Sequence, residues 1–236
     1  MSALGSLYLI PVPLAENAMH TLSPEIFTHC KKLKHFFVEN LREARRFLKQ
    51  IDKDINIDEL NFSETNRNAT LDISLLQKWL KQGFDVGILS DAGCPGIADP
   101  GAELASKAQE MGAKVKPLTG PSSILLALMA SGLNGQNFAF NGYLPVKEPE
   151  RGKKIKALEL QSAKENQTQI FIETPYRNNA IMHDLIRHCG PKTKLCVAIN
   201  ICAADENIIT KSIEDWGKNP IELPKQPAIF LVLSHH

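Results

Sequence analysis

The stretch LSDAGCPGIADPG, Leu89 to Gly101, places three glycines, two prolines and two aspartates within thirteen residues. It grows out of FDVGIL, Phe84 to Leu89, a nearly continuous apolar run of the kind buried on both faces of a parallel sheet. It leads into AELASKAQEMG, Ala102 to Gly112, which has helical periodicity. The stretch is therefore a strand-to-helix junction. Gly93 and Gly96 permit positive φ and remove side-chain bulk where a ligand would meet backbone. Asp99-Pro100-Gly101 predicts a helix start, with Asp99 as N-cap and Pro100 at the first helical position.

The same junction chemistry recurs at PLTGPSS, Pro117 to Ser123, between the strand-like KVKPL and the helix-like SSILLALMASG. Further out, strands are predicted at Leu7 to Val12 and Lys34 to Asn40. Helices are predicted after Ser23-Pro24, over Leu41 to Ile51, and over Leu71 to Gly83. Residues Asp52 to Thr70 are polar and weakly patterned. Beyond the second junction, NFAFNGYL, TQIFIET, KLCVAIN and PAIFLVLS read as strands. Lys153 to Lys164, Tyr176 to Cys189 and a short segment near Trp216 read as helices. Strands alternating with helices define an α/β fold with mostly parallel sheets. A boundary near Leu118 to Gly120 divides it into two α/β domains, residues 1–118 and 119–236.

In open α/β sheets, ligands sit outside the carboxyl ends of strands. Two loops rich in Gly, Pro and small hydroxyls at such ends could hold a cofactor through backbone groups. G-x-G-x-x-G, the P-loop pattern, H-E-x-x-H and G-x-S-x-G are all absent from the sequence. The net charge of +1, from 27 basic and 26 acidic residues, gives no global pull toward nucleic acid. Two local clusters do: Lys31 to Lys53, with eight basic and three acidic residues, and Lys147 to Lys156, with five and two. Low aromatic content, 6%, argues against a stacking platform for single strands. Phe36, Phe37, Phe47, Phe138 and Phe140 are expected in the core. Five cysteines without a C-x-x-C pair read as reduced thiols in a cytoplasmic protein, and Cys94 as a packing residue. His183 and His188 are poorly spaced for a shared metal, and no metal is expected. No apolar run approaches the roughly 20 residues that span a bilayer. The terminal His235-His236 is given no role.

SDAGCPGIADPG, PLTGPSSILLALMASGL and FAFNGYLP, followed in order by IFIETPYR, CVAINICA and QPAIFLV, resemble successive motifs of the tetrapyrrole methylase superfamily of S-adenosylmethionine-dependent methyltransferases. Within it they are most similar to the branch that methylates the ribose 2′-hydroxyl of a cytidine in 16S rRNA. The resemblance covers nearly the whole chain. It implies two α/β domains with the methyl donor, S-adenosyl-L-methionine, in the cleft between them, a homodimer, and rRNA or the small ribosomal subunit as partner. Carried over by position, the donor pocket takes Asp91, Ala92, Gly93, Ile97 and Asp99 from the first junction and Thr119, Gly120, Ser122 and Ser123 from the second. Leu144, Phe171, Ile172, Glu173, Ala198, Ile199, Asn200, Pro227, Ala228 and Ile229 line the rest, with Pro11 and Pro13 at the floor.

The sequence departs from that branch in three places. Val12 to Asn17 stands for T-P-I-G-N-L, Val38 to Arg42 for A-E-D-T-R, and Asn61 to Asn66 for H-x-x-N-E. All three lie on the side the family uses for the acceptor. A small molecule such as a tetrapyrrole is therefore an alternative acceptor, and a donor-binding paralogue without turnover is another. If a hydroxyl is methylated, its proton must leave. Glu39, at a strand end, is the candidate catalytic group, with Glu16 and Glu64 behind it. Glu173 could also serve, but an i,i+4 ion pair with Arg177 is its simpler reading.

Overall fold

The computed structural model describes residues 3–65, 71–99, 101–219 and 221–234. Contacts divide the chain into two units, Met1–Ser122 and Ser123–His236, a division four residues beyond the boundary expected at 118.

The first unit contains β1 (Leu7–Ile10), α1 (Pro24–Lys32), β2 (His35–Val38), α2 (Leu41–Ile51), β3 (Asn61–Glu64), α3 (Ile73–Lys81), β4 (Val86–Leu89), α4 (Ala102–Glu110) and β5 (Val115–Pro117). Its sheet has the order β3-β2-β4-β1-β5, and every pairing is parallel. Successive strand side chains point to opposite faces. Phe36 therefore packs with Ile10, Ile26, Phe47 and Leu48 beneath α1 and α2. Its neighbour Phe37 packs with Leu7, Ile88, Leu76 and Leu104 beneath α3 and α4. Both faces are covered, which explains why VGIL of β4 is apolar throughout and buried at all four positions.

Local chemistry sets the helix starts. Asn40 caps α2 by accepting from Arg42 N–H at 2.9 Å, while Glu64 accepts from Leu41 N–H at 3.0 Å. Asp72 caps α3 through Leu75 N–H at 2.9 Å. At α4 the expectation fails. The helix begins at Ala102 with Gly101 as N-cap, at φ +129°, and has no side-chain cap. Asp99 stands two residues too early, because the glycine turns the chain immediately before the helix. Pro100 lies outside the described residues.

The second unit contains α5 (Ser123–Ser131), β6 (Phe138–Tyr143), α6 (Glu150–Glu165), β7 (Thr168–Glu173), α7 (Asn178–His188), β8 (Lys194–Ile199), β9 (Asn207–Ser212), α8 (Ile213–Lys218) and β10 (Ala228–Leu233). The order is β6-β7-β10-β8-β9. The Phe171 and Phe230 rings stack at 5.7 Å in its core. Trp216 is buried there and donates Nε1–H to Leu195 O at 2.9 Å. Parallel pairs are the majority over both sheets, five of eight, but this sheet is mixed. Only β6–β7 is parallel; β7–β10, β10–β8 and β8–β9 are antiparallel. The seven residues between β8 and β9 are too few for a parallel crossover, which needs a dozen or more.

Two strands are absent from the sequence reading, β3 and β9. Each lies at one edge of its sheet. Edge strands bury one side at most, so NFSE and NIITKS lack the apolar runs that marked the central strands. Phe138 corrects a further expectation. It opens the edge strand β6 and is exposed, whereas Phe36, Phe37 and Phe47 are buried. Among the described residues, no helix is long and apolar enough to cross a membrane.

Candidate functional site

Because the first sheet is wholly parallel, the carboxyl ends of β1, β2, β4 and β5 lie along one edge. Their loops are locked together. After β1 and β4, Val12 N–H donates to Gly93 O at 2.9 Å and Gly93 N–H to Val12 O at 3.2 Å. Gly93 has φ +73°, and a Cβ there would meet Leu14 Cδ2 at 3.0 Å. The second junction packs on the first. Cys94 Sγ donates to Pro121 O at 3.4 Å. A Cβ on Gly120 would lie 2.3 Å from Pro11 Cβ. Pro11, Pro13, Asp91 to Gly93, Thr119 and Gly120 thus belong to one cluster of loops. Burial and Asp99 push the Cys94 thiol upward, as expected of a packing residue. Ile97, in the turn after Cys94, is exposed.

Glu39 reaches this cluster by a route the sequence does not reveal. Its Oε2 accepts from Asp91 N–H at 3.1 Å, tying the end of β2 to the loop after β4. The Asp91 carboxyl is pushed up to about 6, by burial first and then by Glu39 and Glu43, against a backbone donor from Asn40. Glu64 is spent on the start of α2, and Glu16 is an exposed carboxylate 3.6 Å from Arg46.

A recess of about 280 Å³ opens beside Asp91. One wall is the loop Val12 to Met19; another is α2, through Glu43, Arg46, Phe47 and Gln50; Ser90, Asp91 and Ala92 close it. All of it lies in the first unit. The sequence reading missed the α2 wall, although Glu43, Arg46 and Gln50 recur at helical spacing on one side of that helix.

In the second unit the remaining candidates also converge. Glu173, Ala228 and Ile199 are neighbours across β7, β10 and β8, as are Ile172, Ile229 and Ala198. Asn200 N–H donates to Pro227 O at 3.0 Å, and Asn200 adopts φ +54°. The side chains of Leu144, Phe171, Ala198, Ile199 and Ala228 are buried, so these positions offer mainly backbone to a ligand. Glu173 is committed elsewhere: its carboxylate lies 2.6 Å from Arg177 and accepts from Thr174 N–H at 2.7 Å. Arg177 in turn donates to Leu144 O at 3.4 Å. The anticipated ion pair is present, and it holds the segment after β6 against β7. Ser122 and Ser123 flank the division between the units.

Glu148, Asp184 and His188 bring possible metal-ligating atoms within 4.8 Å of one another. The Arg151 guanidinium sits 2.5 Å from Asp184, so a cation of the protein's own occupies that position. The group is an ion-pair network joining the segment before α6 to α7.

A wholly parallel sheet with loops crowded at its carboxyl edge in the first unit, and a mixed sheet in the second, make up an α/β protein of two units. Solved structures share that fold along almost the full chain. The methyltransferase CobJ aligns with a TM-score of 0.64 at 16% identity, covering 98% of this chain and 94% of that one. Uroporphyrin-III C-methyltransferase from Thermus thermophilus, complexed with S-adenyl homocysteine, aligns at 0.60 and 15%, covering 98% of both. The family model for tetrapyrrole (corrin/porphyrin) methylases matches residues 25–216, and the chain belongs to that family. Among its relatives, ribosomal RNA small subunit methyltransferase I of Vibrio cholerae is 30% identical over 202 residues, 86% of this chain and 67% of that protein. The Bacillus subtilis protein of the same name is 31% identical over 176 residues, 75% and 57%. The chain thus spans about three-fifths to two-thirds of the length of these relatives.

Proposed function

We propose that the chain is an S-adenosylmethionine-dependent methyltransferase that methylates a cytidine ribose 2′-hydroxyl in 16S rRNA. The observation that carries this reading is the 30% identity, over 86% of the chain, to a ribosomal RNA small subunit methyltransferase I. The loop cluster is compatible with such a donor. Glycine at 93 and 120 leaves close-packed backbone at the strand ends, and Asp91 is ionised near neutral pH beside it. Bound S-adenosylmethionine would supply an electrophilic methyl group on a sulfonium. In the first unit, Asp91, Ala92, Gly93, Ile97, Asp99, Thr119, Gly120 and Ser122 would hold the donor. Within the second unit, the resemblance makes Leu144, Phe171 to Glu173, Ala198 to Asn200 and Pro227 to Ile229 the candidates for donor contact. Catalysis here is chiefly alignment of the acceptor oxygen with the carbon–sulfur bond. Glu39 holds the Asp91 main chain, so its part is to place the donor loop. The Asp91 carboxylate is the better proton acceptor, because its raised pKa brings it near the working pH.

Titration calorimetry with S-adenosylmethionine tests the donor. Transfer of labelled methyl to 30S subunits from cells lacking this protein, with mapping of the modified nucleotide, tests the acceptor. Label on a tetrapyrrole but not on 30S subunits would replace the rRNA reading. Donor binding with no labelled product would make the chain a non-catalytic paralogue. We further propose a cytoplasmic homodimer. Met129 and Leu125, one turn apart on α5, are 79% and 51% exposed, and light scattering of the purified protein gives the mass.

A further inference from the structure

We infer that the recess beside Asp91 continues outward along α2 as a track for the phosphates of an RNA strand, with the nucleoside seated at its inner end. This rests on the rRNA reading above and adds which surface grips the strand and in which direction. Arg46, Gln50, Asn17 and Met19 line both the inner recess and a shallower one of about 640 Å³ beyond it. The two are therefore continuous. The outer part adds Lys49 and Lys53. Arg42, Arg46 and Lys49 recur at steps of four and three, so they share one face of α2, opposite the buried Ala44, Leu48 and Ile51.

Polarity changes along the recess. The inner end carries Glu16, Glu43 and Asp91, which repel a phosphate and accept from hydroxyl or amino groups. The outer end carries Arg46, Lys49 and Lys53. Among the described residues that end is only weakly neutralised: Arg46 pairs with Glu16 at 3.6 Å, with side chains 60% and 84% exposed, and Lys49 Nζ donates to Lys53 O at 2.8 Å. Asp52 is taken by Lys31 at 2.8 Å. A sugar and base therefore fit inside, and the following phosphates outside. In the rival cluster, Arg151 is tied to Asp184 and to Val146 O.

The test is fluorescence anisotropy of a fluorescein-labelled twelve-nucleotide single-stranded RNA over a range of KCl concentrations. The variants are the triple Arg46→Gln/Lys49→Gln/Lys53→Gln, the double Arg46→Gln/Lys53→Gln, which spares the Lys49 hydrogen bond, and Lys153→Gln/Lys154→Gln/Lys156→Gln on α6. Three lost phosphate contacts lower the log–log salt slope by about 2 and the affinity at 0.1 M salt by tenfold to a hundredfold. The double variant lowers the slope by about 1.4. The α6 variant leaves it unchanged, and donor binding survives in all three. A wild-type slope in both α2 variants, or loss of slope in the α6 variant instead, overturns the inference while the rRNA reading stands. If the wild type neither binds the RNA nor labels 30S subunits, the rRNA reading itself fails.

Discussion

Replacing Gly120 by alanine tests whether the two glycine junctions form one rigid unit. The added Cβ would lie 2.3 Å from Pro11 Cβ and 2.8 Å from its Cγ. Real contacts of this kind do not fall below about 3 Å, and a proline ring cannot rotate away. One loop must move by about an ångström. Overpacking of this sort costs about 1–3 kcal/mol. For a chain of this size that lowers Tm by about 2–12 °C. Gly135→Ala is the control, since a Cβ there meets nothing within 4 Å. It leaves stability unchanged or raises it by a few tenths to about 1 kcal/mol through the unfolded chain. Urea unfolding gives the stability of each variant. Calorimetry with S-adenosylmethionine gives donor affinity, which falls in Gly120→Ala if the loops' mutual placement matters for binding. Equal stability and equal donor affinity in Gly120→Ala and wild type would refute the locked-loop account.

Three further outcomes are expected. Glu39→Gln retains donor binding, because the amide oxygen still accepts from Asp91 N–H, while Glu39→Ala weakens it; loss of transfer in Glu39→Gln with intact donor binding would instead make Glu39 the base. Asp91→Asn stabilises the protein at pH 7.5 and has no effect near pH 3.5. The folded pKa, about 6, exceeds the unfolded value of 3.8, so the cost of ionising Asp91 is absent below the lower value and complete above the higher, as urea unfolding at the two pH values will show. Arg151→Ala costs about 3–5 kcal/mol, because it strands the buried Asp184 carboxylate, while Arg151→Met/Asp184→Leu recovers most of the loss in thermal unfolding.

What could be read from the chain follows from where the information sits. FDVGIL gave β4 and the parallel sheet because a strand covered on both faces must be apolar along its length. Pro24 and Gly83 marked helix ends because capping is decided within a few residues, whereas the Asn40 cap of α2 was read as the end of a strand. The edge strands β3 and β9 escaped because their pairing depends on a neighbour and not on their own pattern. Asp99 misled because two residues two positions apart, Asp99 and Gly101, both suit a helix start, and the positive φ at Gly101 decided between them. The candidate site was legible as two loops with shared chemistry. The Glu39 tether spans fifty-two positions, and the α2 wall faces loops far away in sequence, so neither left a local signal.

The position of β10 bears on how the protein is made. Strand β5 completes the first sheet by Pro117, so that half can fold while the rest is still being translated. The second sheet has its last-synthesised strand, Ala228 to Leu233, in the middle, between β7 and β8. Until those residues clear the exit tunnel, β6–β7 and the β8–β9 hairpin cannot join, and their apolar faces remain open to chaperones. A premature stop between Ser123 and Ala228 therefore leaves a folded amino-terminal half attached to an aggregation-prone remainder.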